Sequence, residues 1–204
     1  MSERVIVIGA GGHGKVITDS IHKSGDTCIG FLDDGVDVAF QNCDIPVLGK
    51  IDSYINYPDV SFVIGIGNAA VRARIAGQMM GVHWYTAVHP AAVISEIDVQ
   101  VGEGSVIMAN AVVNASAHIG KHCILNTASV VEHDNCIGAY SHISVGAKLG
   151  GTVTVGEHTW IGIGATVINN VTICDHCIIG AGAVVIHNIK ESGTYVGVPA
   201  KKIK

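Results

Sequence analysis

Residues 119–143, IGKHCILNTASVVEHDNCIGAYSHI, carry an aliphatic side chain at every sixth position, and this spacing decides the fold class. The column runs without interruption through fifteen positions: Val101, Ile107, Val113, Ile119, Leu125, Val131, Ile137, Ile143, Leu149, Val155, Ile161, Val167, Ile173, Ile179 and Val185. A random sequence has a chance well below about one in ten thousand of producing such a run. Each six-residue unit predicts one short strand followed by a corner.

Glycine follows the aliphatic residue at intervals of eighteen, at Gly102, Gly120, Gly138 and Gly156. Glycine recurs in a solenoid where a corner is crowded or needs an unusual dihedral. Three units therefore make one turn of a triangular parallel β-helix, and fifteen units predict five turns. At a strand spacing of about 4.8 Å the prism would rise on the order of 25 Å, with the aliphatic column pointing inward as its core.

The first 85 residues have a different rhythm, which predicts a Rossmann-like parallel α/β domain. The expected elements are a buried strand at 5–8, a helix at 15–23, a strand at 28–32, a turn-rich connection at 45–49, a strand at 60–66 and a helix at 69–80. We therefore expect three segments: an α/β domain over 1–85, a β-helix domain over 86–190, and a C-terminal tail over 191–204 that leaves the last coil.

A glycine motif joins the first strand to the first helix. Gly9, Gly11 and Gly14 satisfy G-x-G-x-x-G, and Asp33 stands at the end of the next strand. Such glycines bring backbone N–H groups and a helix N-terminus against phosphate, while the carboxylate grips a hydroxyl. An α/β part of 85 residues is only half of a dinucleotide fold, so a nucleotide-linked small molecule fits better than NAD. A tight turn without a ligand is the remaining alternative.

Composition excludes several classes of partner. A formal net charge of −5 with only 12 Lys and Arg argues against nucleic-acid binding. No apolar run approaches the roughly 18 residues of a membrane span, so no membrane insertion is expected. Glu3 and Arg4 precede a short apolar run that is typical of a buried strand and not of a signal peptide. We therefore expect a cytoplasmic protein with six reduced cysteines and no disulfide.

Several motifs together resemble the bacterial hexapeptide-repeat sugar acyltransferases, in the branch with an N-terminal nucleotide-binding α/β domain. They are GAGGHG at 9–14, FLDD at 31–34, IGN at 66–68, NT at 126–127, VEHD at 131–134, SHISVGA at 141–147 and GVPAK at 197–201. The resemblance implies a left-handed β-helix, against the usual right-handed crossover rule. It also implies a homotrimer with active sites between neighbouring β-helices, and acetyl-CoA as co-substrate.

The same resemblance implies an activity. The branch is similar to enzymes that acetylate the 4-amino group of a UDP-linked 4-amino-4,6-dideoxy sugar, as in bacillosamine synthesis, and a sister group acetylates sialic acid hydroxyls. O-acetylation of a sugar and a non-catalytic scaffold that binds nucleotide sugars are the two alternatives. The positions that match the nucleotide-sugar motifs are Gly11, Gly12, His13, Asp33, Asp34 and Gly67.

Four ring-bearing residues share one corner column at intervals of eighteen: His122, Tyr140, His158 and His176. We expect this aromatic ladder to be a stack of rings, because a metal site needs a convergent ligand set with supporting groups. Cys174 and Cys177 suggest zinc only superficially. Cys177 occupies an inward slot of its repeat, so we expect the two thiols to face different ways and fill space. No metal is expected.

His133 is the candidate general base. It follows the inward Val131 at a corner and is flanked by Glu132 and Asp134, and a neighbouring carboxylate fixes the tautomer of an imidazole and stabilises its cation. The resemblance supports this role, although relatives often carry Glu where this chain has Asp134.

By resemblance His142 contacts acetyl-CoA, and a solvated corner histidine is the alternative. Gly146, with Gly164 and Gly182, would leave a side-chain-free groove for the pantetheine arm beside Ile163 and Ala181. Corner geometry alone is the alternative explanation for these glycines.

Overall fold

A mostly parallel six-stranded sheet forms the N-terminal part of the computed structural model, which describes residues 2–36, 41–42 and 44–204. Numbered along the chain, its elements are β1 (Arg4–Ile8), α1 (Gly12–Lys23), β2 (Thr27–Leu32), β3 (Gln41–Asn42), β4 (Ile45–Gly49), a 3-10 helix (Ile51–Asn56), β5 (Ser61–Ile64), α2 (Ala69–Gln78) and β6 (His83–Trp84). The strand order is β3-β4-β2-β1-β5-β6, and β3 alone runs antiparallel to its neighbour.

The two helices cover opposite faces of this sheet. Val5 and Val7 of β1 belong to the same apolar cluster as Ile17 and Ile21 of α1. The alternate residues Ile6 and Ile8 pack with Ile75 of α2 and with Met79, which caps the end of that helix. Because successive side chains of a strand point to opposite faces, α1 and α2 lie on opposite sides of β1.

Two expectations for this domain are corrected. The connection at 45–49 is the strand β4, which pairs in parallel with β2, because Ile45 and Val47 are buried while Pro46 between them is exposed. Helix α1 begins at Gly12 and not at residue 15, so the glycine motif supplies its first turn.

The remainder is a triangular parallel β-helix with three faces. Face 1 holds β7 (Ala87–Val88), β10 (Val106–Ile107), β13 (Ile124–Leu125), β16 (His142–Ile143), β19 (Trp160–Ile161), β22 (Cys177–Ile179) and β24 (Gly193–Val196). Face 2 holds β8 (Val93–Ile94), β11 (Val112–Val113), β14 (Val130–Val131), β17 (Lys148–Leu149), β20 (Thr166–Val167) and β23 (Val184–Val185). Face 3 holds β9 (Gln100–Val101), β12 (His118–Ile119), β15 (Cys136–Ile137), β18 (Thr154–Val155) and β21 (Thr172–Ile173).

The aliphatic column forms the core as predicted. Its members from Ile107 to Val185 are all buried, and Val101 is partly buried against the same cluster. The prism is longer than the column indicated. Val88 and Ile94 continue the core before Val101 with one extra residue in the spacing, which hides the first turn from a strict six-residue pattern.

Strand pairing also continues past the last aliphatic repeat. β24 pairs in parallel with β22, and its Tyr195 packs against the core. A short strand β25 (Lys201–Lys202) then turns back along β24. The segment boundaries drawn at residues 85 and 190 stay predictions.

The cysteine expectation needs one correction. Cys174 and Cys177 do not face different ways, since their Sγ atoms are 3.5 Å apart and both side chains contact the end of the prism core. Both are free thiols, as are Cys28, Cys123 and Cys136, while Cys43 lies outside the described residues. Within the described ranges, none of the helices is long and apolar enough to span a bilayer.

Three corners connect the faces of the prism. Corner A joins face 1 to face 2, corner B joins face 2 to face 3, and corner C joins face 3 to face 1. The α/β domain sits against the first turns of face 1, where Tyr85, Ala87, Val106 and Met108 join the cluster of β1 and α1. Its Trp84 ring meets His122 of corner C edge-on, with centroids 4.7 Å apart.

Candidate active site

The sheet topology creates a crevice at the carboxyl ends of β1 and β5. From β1 the chain runs to β2 on one side, and it later returns to β5 on the other side. Ligands of open α/β sheets bind where the strand order reverses in this way. The N-termini of α1 and α2 flank this point, so the electropositive ends of two helix dipoles meet there. We call this space the switch-point crevice.

The glycines of the G-x-G-x-x-G motif have two different structural roles. A Cβ on Gly14 would lie 2.2 Å from the Gly9 carbonyl oxygen, so Gly14 allows the helix to pack on the strand end. A Cβ on Gly11 or Gly12 would meet nothing within 4 Å. Those two predicted substrate residues face open space at the start of α1.

Asp33 and Asp34 hold the loops around the crevice. Asp33 accepts the N–H of Ala10 through Oδ2 and that of Gly35 through Oδ1, each at 2.7 Å. Asp34 accepts the Ile51 N–H at 2.9 Å. Both carboxylates line a cavity of about 140 Å³ together with Arg74. The carboxylate oxygens of Asp33 accept backbone N–H groups and thereby shape the glycine loop, and the expectation that Asp33 grips a substrate hydroxyl stays a prediction.

His13 and His142 come from different domains and meet at the crevice. Their ring centroids are 6.4 Å apart. Burial, with a further contribution from the Arg72 charge, lowers the pKa of His13 to about 4. Burial, Arg72 and His13 lower the pKa of His142 to about 3. Both imidazoles are therefore neutral at physiological pH.

The contacts of His142 also fix which ring nitrogen carries the proton. The Thr127 N–H donates to Asn126 Oδ1 at 2.8 Å, which turns the Asn126 amide nitrogen toward His142 Nε2 at 3.1 Å. An amide NH₂ is only a donor, so Nε2 accepts and the proton sits on Nδ1. Nδ1 is buried, and within the described residues it has no hydrogen-bond partner. His142 thus carries a neutral, buried N–H group whose hydrogen-bonding capacity is not used by the described residues.

A larger cavity, of about 690 Å³, opens beside His142. Gly67 and Asn68, at the start of α2, form one wall. Trp160 forms part of the opposite wall, where it stacks on His142 at 5.8 Å and donates from Nε1 to Ser144 Oγ at 2.6 Å. The predicted substrate residue Gly67 and the predicted cofactor residue His142 therefore line the same space.

The aromatic ladder is confirmed. Successive centroids from His122 through Tyr140 and His158 to His176 are 5.3, 5.0 and 4.9 Å apart, with nearly parallel rings. Each member has a positive φ at corner C. His158 and His176 also line the larger cavity, so the ladder forms part of its rim as well as a stack. No group of three or more potential ligands is placed to hold a metal ion in the part of the chain described.

His133 is oriented by Asp134. His133 Nδ1 lies 2.7 Å from Asp134 Oδ2, and both side chains are more than half exposed. Glu132 contacts only the backbone N–H of His133, at 3.3 Å. The aspartate side chain is thus long enough to reach the ring. The ring lies over Gly151 of the next turn, where a Cβ would be 2.5 Å from Cε1 and Nε2.

One chain does not bring all the predicted site residues together. His133 and Asp134 stand at corner B, after β14 of face 2. Corner B is the vertex opposite face 1, which carries His142 and supports the switch-point crevice. The width of the prism therefore separates the candidate base from the candidate substrate site.

The predicted pantetheine groove lies at corner A. Gly146, Gly164 and Gly182 stack there with φ of 64, 65 and 66°, and a Cβ on any of them would meet nothing within 4 Å. On the preceding turns, Ala128 and Asn110 adopt the same dihedral. Backbone conformation therefore does not demand glycine, which favours a strip kept clear of side chains.

The cofactor residues beside this glycine strip are exposed. The Ile163 side chain is 61% exposed, and its carbonyl accepts the Gly182 N–H at 2.8 Å, which leaves one lone pair for another donor. Ala181 is also exposed.

Sequence reasoning assigns no role to Asn126, Arg72 or Trp160, although all three contact or line the site. Asn126 stands in a motif of the resemblance, yet its task is visible only from its contact with the ring on the next turn.

Two family models match the chain. The one described as PglD N-terminal domain matches residues 4–79, and the one described as bacterial transferase hexapeptide (six repeats) matches residues 152–187. A curated relative, UDP-N-acetylbacillosamine N-acetyltransferase from Bacillus subtilis (strain 168), is 39% identical over 114 residues, which are 52% of each chain. The chain thus matches about half the length of that relative.

Solved structures match over nearly the whole chain. The acetyltransferase domain of PglB from Neisseria gonorrhoeae FA1090 has 35% identity and a TM-score of 0.94, and covers 99% of this chain and 100% of its own. A histidine-to-asparagine variant of perosamine N-acetyltransferase from Caulobacter crescentus, in complex with CoA and GDP-perosamine, has 35% identity and a TM-score of 0.93, with 98% and 96% covered. WeeI from Acinetobacter baumannii AYE has 29% identity and a TM-score of 0.91, with 99% and 100% covered. The expected fold, a parallel α/β domain followed by a hexapeptide-repeat β-helix, is confirmed.

Proposed function

Because the chain belongs to the hexapeptide-repeat sugar acetyltransferases with a PglD-type N-terminal domain, we propose that it transfers acetyl from acetyl-CoA to the 4-amino group of a nucleotide-linked 4-amino-4,6-dideoxy sugar. UDP is our first choice of nucleotide, since the curated relative is named for a UDP sugar. The structure of the perosamine enzyme contains a GDP sugar, so the assay below compares sugars linked to different nucleotides.

The proposal is supported by Gly67 and His142 lining one cavity, with the His13 ring 6.4 Å from that of His142 between centroids. The diphosphate would lie against the first-turn N–H groups of α1 and α2, where two helix dipoles favour an anion. The sugar would then extend toward His142 and the larger cavity. Acetyl-CoA would approach along the glycine strip of corner A.

His142 has the properties of a carbonyl-polarising donor. Its Nδ1–H is held by the Asn126 contact to Nε2, and it has no competing acceptor among the described side chains and backbone. A preorganised neutral donor stabilises the oxyanion that forms when the thioester carbonyl is attacked. A ring whose pKa is about 3 does not take up the amine proton at physiological pH.

His133 would take that proton. In the reaction, the neutral amine nitrogen forms a bond to the thioester carbonyl carbon, and the C–S bond breaks as the tetrahedral intermediate collapses. The amine proton passes to His133 Nε2, while Nδ1–H donates to Asp134. The protonated His133 then gives this proton to the CoA sulfur, so that CoA leaves as the thiol and the base is regenerated.

Because His133 occupies the vertex opposite face 1, a complete site needs His133 from a second chain. We therefore propose a homotrimer in which corner B of one β-helix meets corner A and face 1 of its neighbour. Cyclic assembly supplies one such heterologous contact for each chain.

The test is acetyl-CoA-dependent thiol release with a panel of UDP-, dTDP- and GDP-linked 4-amino sugars. The proposal predicts release with at least one of them and an N-acetylated product. No release with any member of the panel contradicts it, and release with sialic acid alone would replace it with O-acetylation.

Replacing His133, the proposed base, should slow turnover strongly. His133→Ala should slow turnover by roughly 10² to 10⁴, because general-base catalysis contributes about that much. The matched control is His118→Ala, which removes an exposed imidazole from face 3. An unchanged kcat for His133→Ala would remove this residue from the mechanism.

A further inference from the structure

Arg72 is the largest of the fully buried side chains described, with 1% exposure. It projects from α2 into the junction between the two domains, where its N–H groups donate to carbonyl oxygens. Nε donates to His122 at 3.1 Å, Nη1 donates to Ile66 at 3.1 Å and Gly67 at 2.7 Å, and Nη2 donates to Tyr140 and, at 3.5 Å, to Ser141.

These contacts connect the loop at the start of α2 to the strand that carries His142. Ile66 and Gly67 form the loop at the start of α2, and Gly67 lines the larger cavity. Tyr140 and Ser141 are the corner C residues that lead directly into β16. A single planar guanidinium therefore fixes the loop and the strand in one geometry, which the flexible ammonium of lysine would not reproduce.

The charge of Arg72 is not neutralised. Among residues 2–36, 41–42 and 44–204, no carboxylate lies within ion-pair distance of it. Burial lowers the pKa of Arg72 to about 10, which still leaves it charged at neutral pH. A buried cation without a counter-ion is costly, even when carbonyl dipoles satisfy its N–H groups. An anion bound in the adjoining switch-point crevice, such as the diphosphate of the substrate, would compensate this charge.

Resting on the function proposed above, we propose that Arg72 is a positioning residue with two roles. The four N–H groups of its Nη1 and Nη2 atoms hold the Gly67 loop against the chain that leads into the His142 strand. Its charge adds to the effect of burial in disfavouring protonation of His13 and His142. It also raises the positive potential of the switch-point crevice, where the diphosphate of the substrate would bind.

The first test is the titration of His142 in the free protein, followed by NMR of the imidazole nitrogens. The groups that face His142 are Arg72 from α2 and His13 from α1, while His158 and His176 line the same cavity. In Arg72→Met the positive charge is gone, so the pKa of His142 should rise above about 3 while burial still holds it below its usual value. Arg72→Lys, which keeps a cation, should leave it low.

The second test separates geometry from charge through kinetics. Arg72→Lys should lose about 10- to 100-fold in kcat/KM for the sugar nucleotide, since misplacement by about 1 Å can cost that much. Arg72→Met should lose at least as much, and its KM for the sugar nucleotide should rise more than its KM for acetyl-CoA. The control is Arg4→Met, which removes an exposed arginine of the same domain.

The outcomes are distinct. If Arg72→Met folds and His142 titrates as in the wild type, the electrostatic role is wrong. If Arg72→Lys keeps wild-type kcat/KM, the positioning role is wrong. The titration needs no substrate, so it can succeed or fail independently of the proposed reaction. Should Arg72→Met not fold, the comparison of Arg72→Lys with the wild type still decides the positioning role.

Discussion

Gly151 is the residue on which the position of His133 most directly depends. The corresponding corner B residue on other turns is Ala115, His133 or Asn169, so this position accepts a side chain without disturbing the prism. At residue 151, however, a Cβ would lie 2.5 Å from the His133 ring. Gly151→Ala should therefore leave the unfolding midpoint nearly unchanged while kcat falls about 10- to 100-fold, because the base is displaced.

The control for this prediction is Asn169→Ala, one turn further along the same corner. It should retain both stability and kcat. Equal kcat for Gly151→Ala and the wild type would mean that the ring is free to move aside without loss, and that its observed position is not the working one.

At the same scale, the sequence predicts roles for His133 and Asp134 from their place at a corner after the inward Val131 and from the family resemblance, and these roles stay predictions. Sequence reasoning could not find Arg72, whose partners are backbone carbonyls up to 69 residues away along the chain. It also missed the tautomer of His142, which depends on how the Asn126 amide is turned by Thr127. Contacts between domains leave no periodic signal in a sequence.

The glycine strip of corner A is the element to which we assign acetyl-CoA binding. Asn110 adopts the same left-handed dihedral as Gly164, with φ of 58 and 65°, so Gly164→Asn should fold normally. Its side chain would enter the strip and raise the KM for acetyl-CoA on the order of 10-fold, equivalent to about 1.4 kcal/mol of lost binding. The KM for the sugar nucleotide should stay the same, and this provides the internal control.

A rise in both KM values would indicate a general distortion of the prism. If neither KM changed, corner geometry alone would explain these glycines.

The sequence predicts strands correctly where it repeats with one period, and it does not predict them where the period is interrupted. The inward column from Ile107 to Val185 and the aromatic ladder are both confirmed, because every member repeats at six or eighteen residues. Strand β4 was missed because Pro46 and Gly49 resemble turn residues, although Ile45 and Val47 alternate inward. The first turn of the prism was missed because the spacing from Ile94 to Val101 contains one extra residue.

For the whole molecule, the triangular cross-section has a mechanistic consequence. It places the candidate base at the vertex opposite the face on which the candidate substrate domain rests. The α/β domain cannot bring a sugar to His133 of its own chain across the prism core. If the α/β domain and His133 take part in one reaction, the active enzyme contains more than one chain. Cyclic symmetry allows such an assembly.

Subunit complementation shows whether His133 of one chain acts with His142 of another. His133→Ala and His142→Phe chains carrying different affinity tags are co-expressed, and mixed trimers are isolated through both tags. Each homotrimer should be nearly inactive, while each mixed trimer contains one intact site and should turn over at about one third of the wild-type rate. Mixed trimers no more active than the two parent variants would contradict the account, because they would show that His133 and His142 must act within one chain or not together at all.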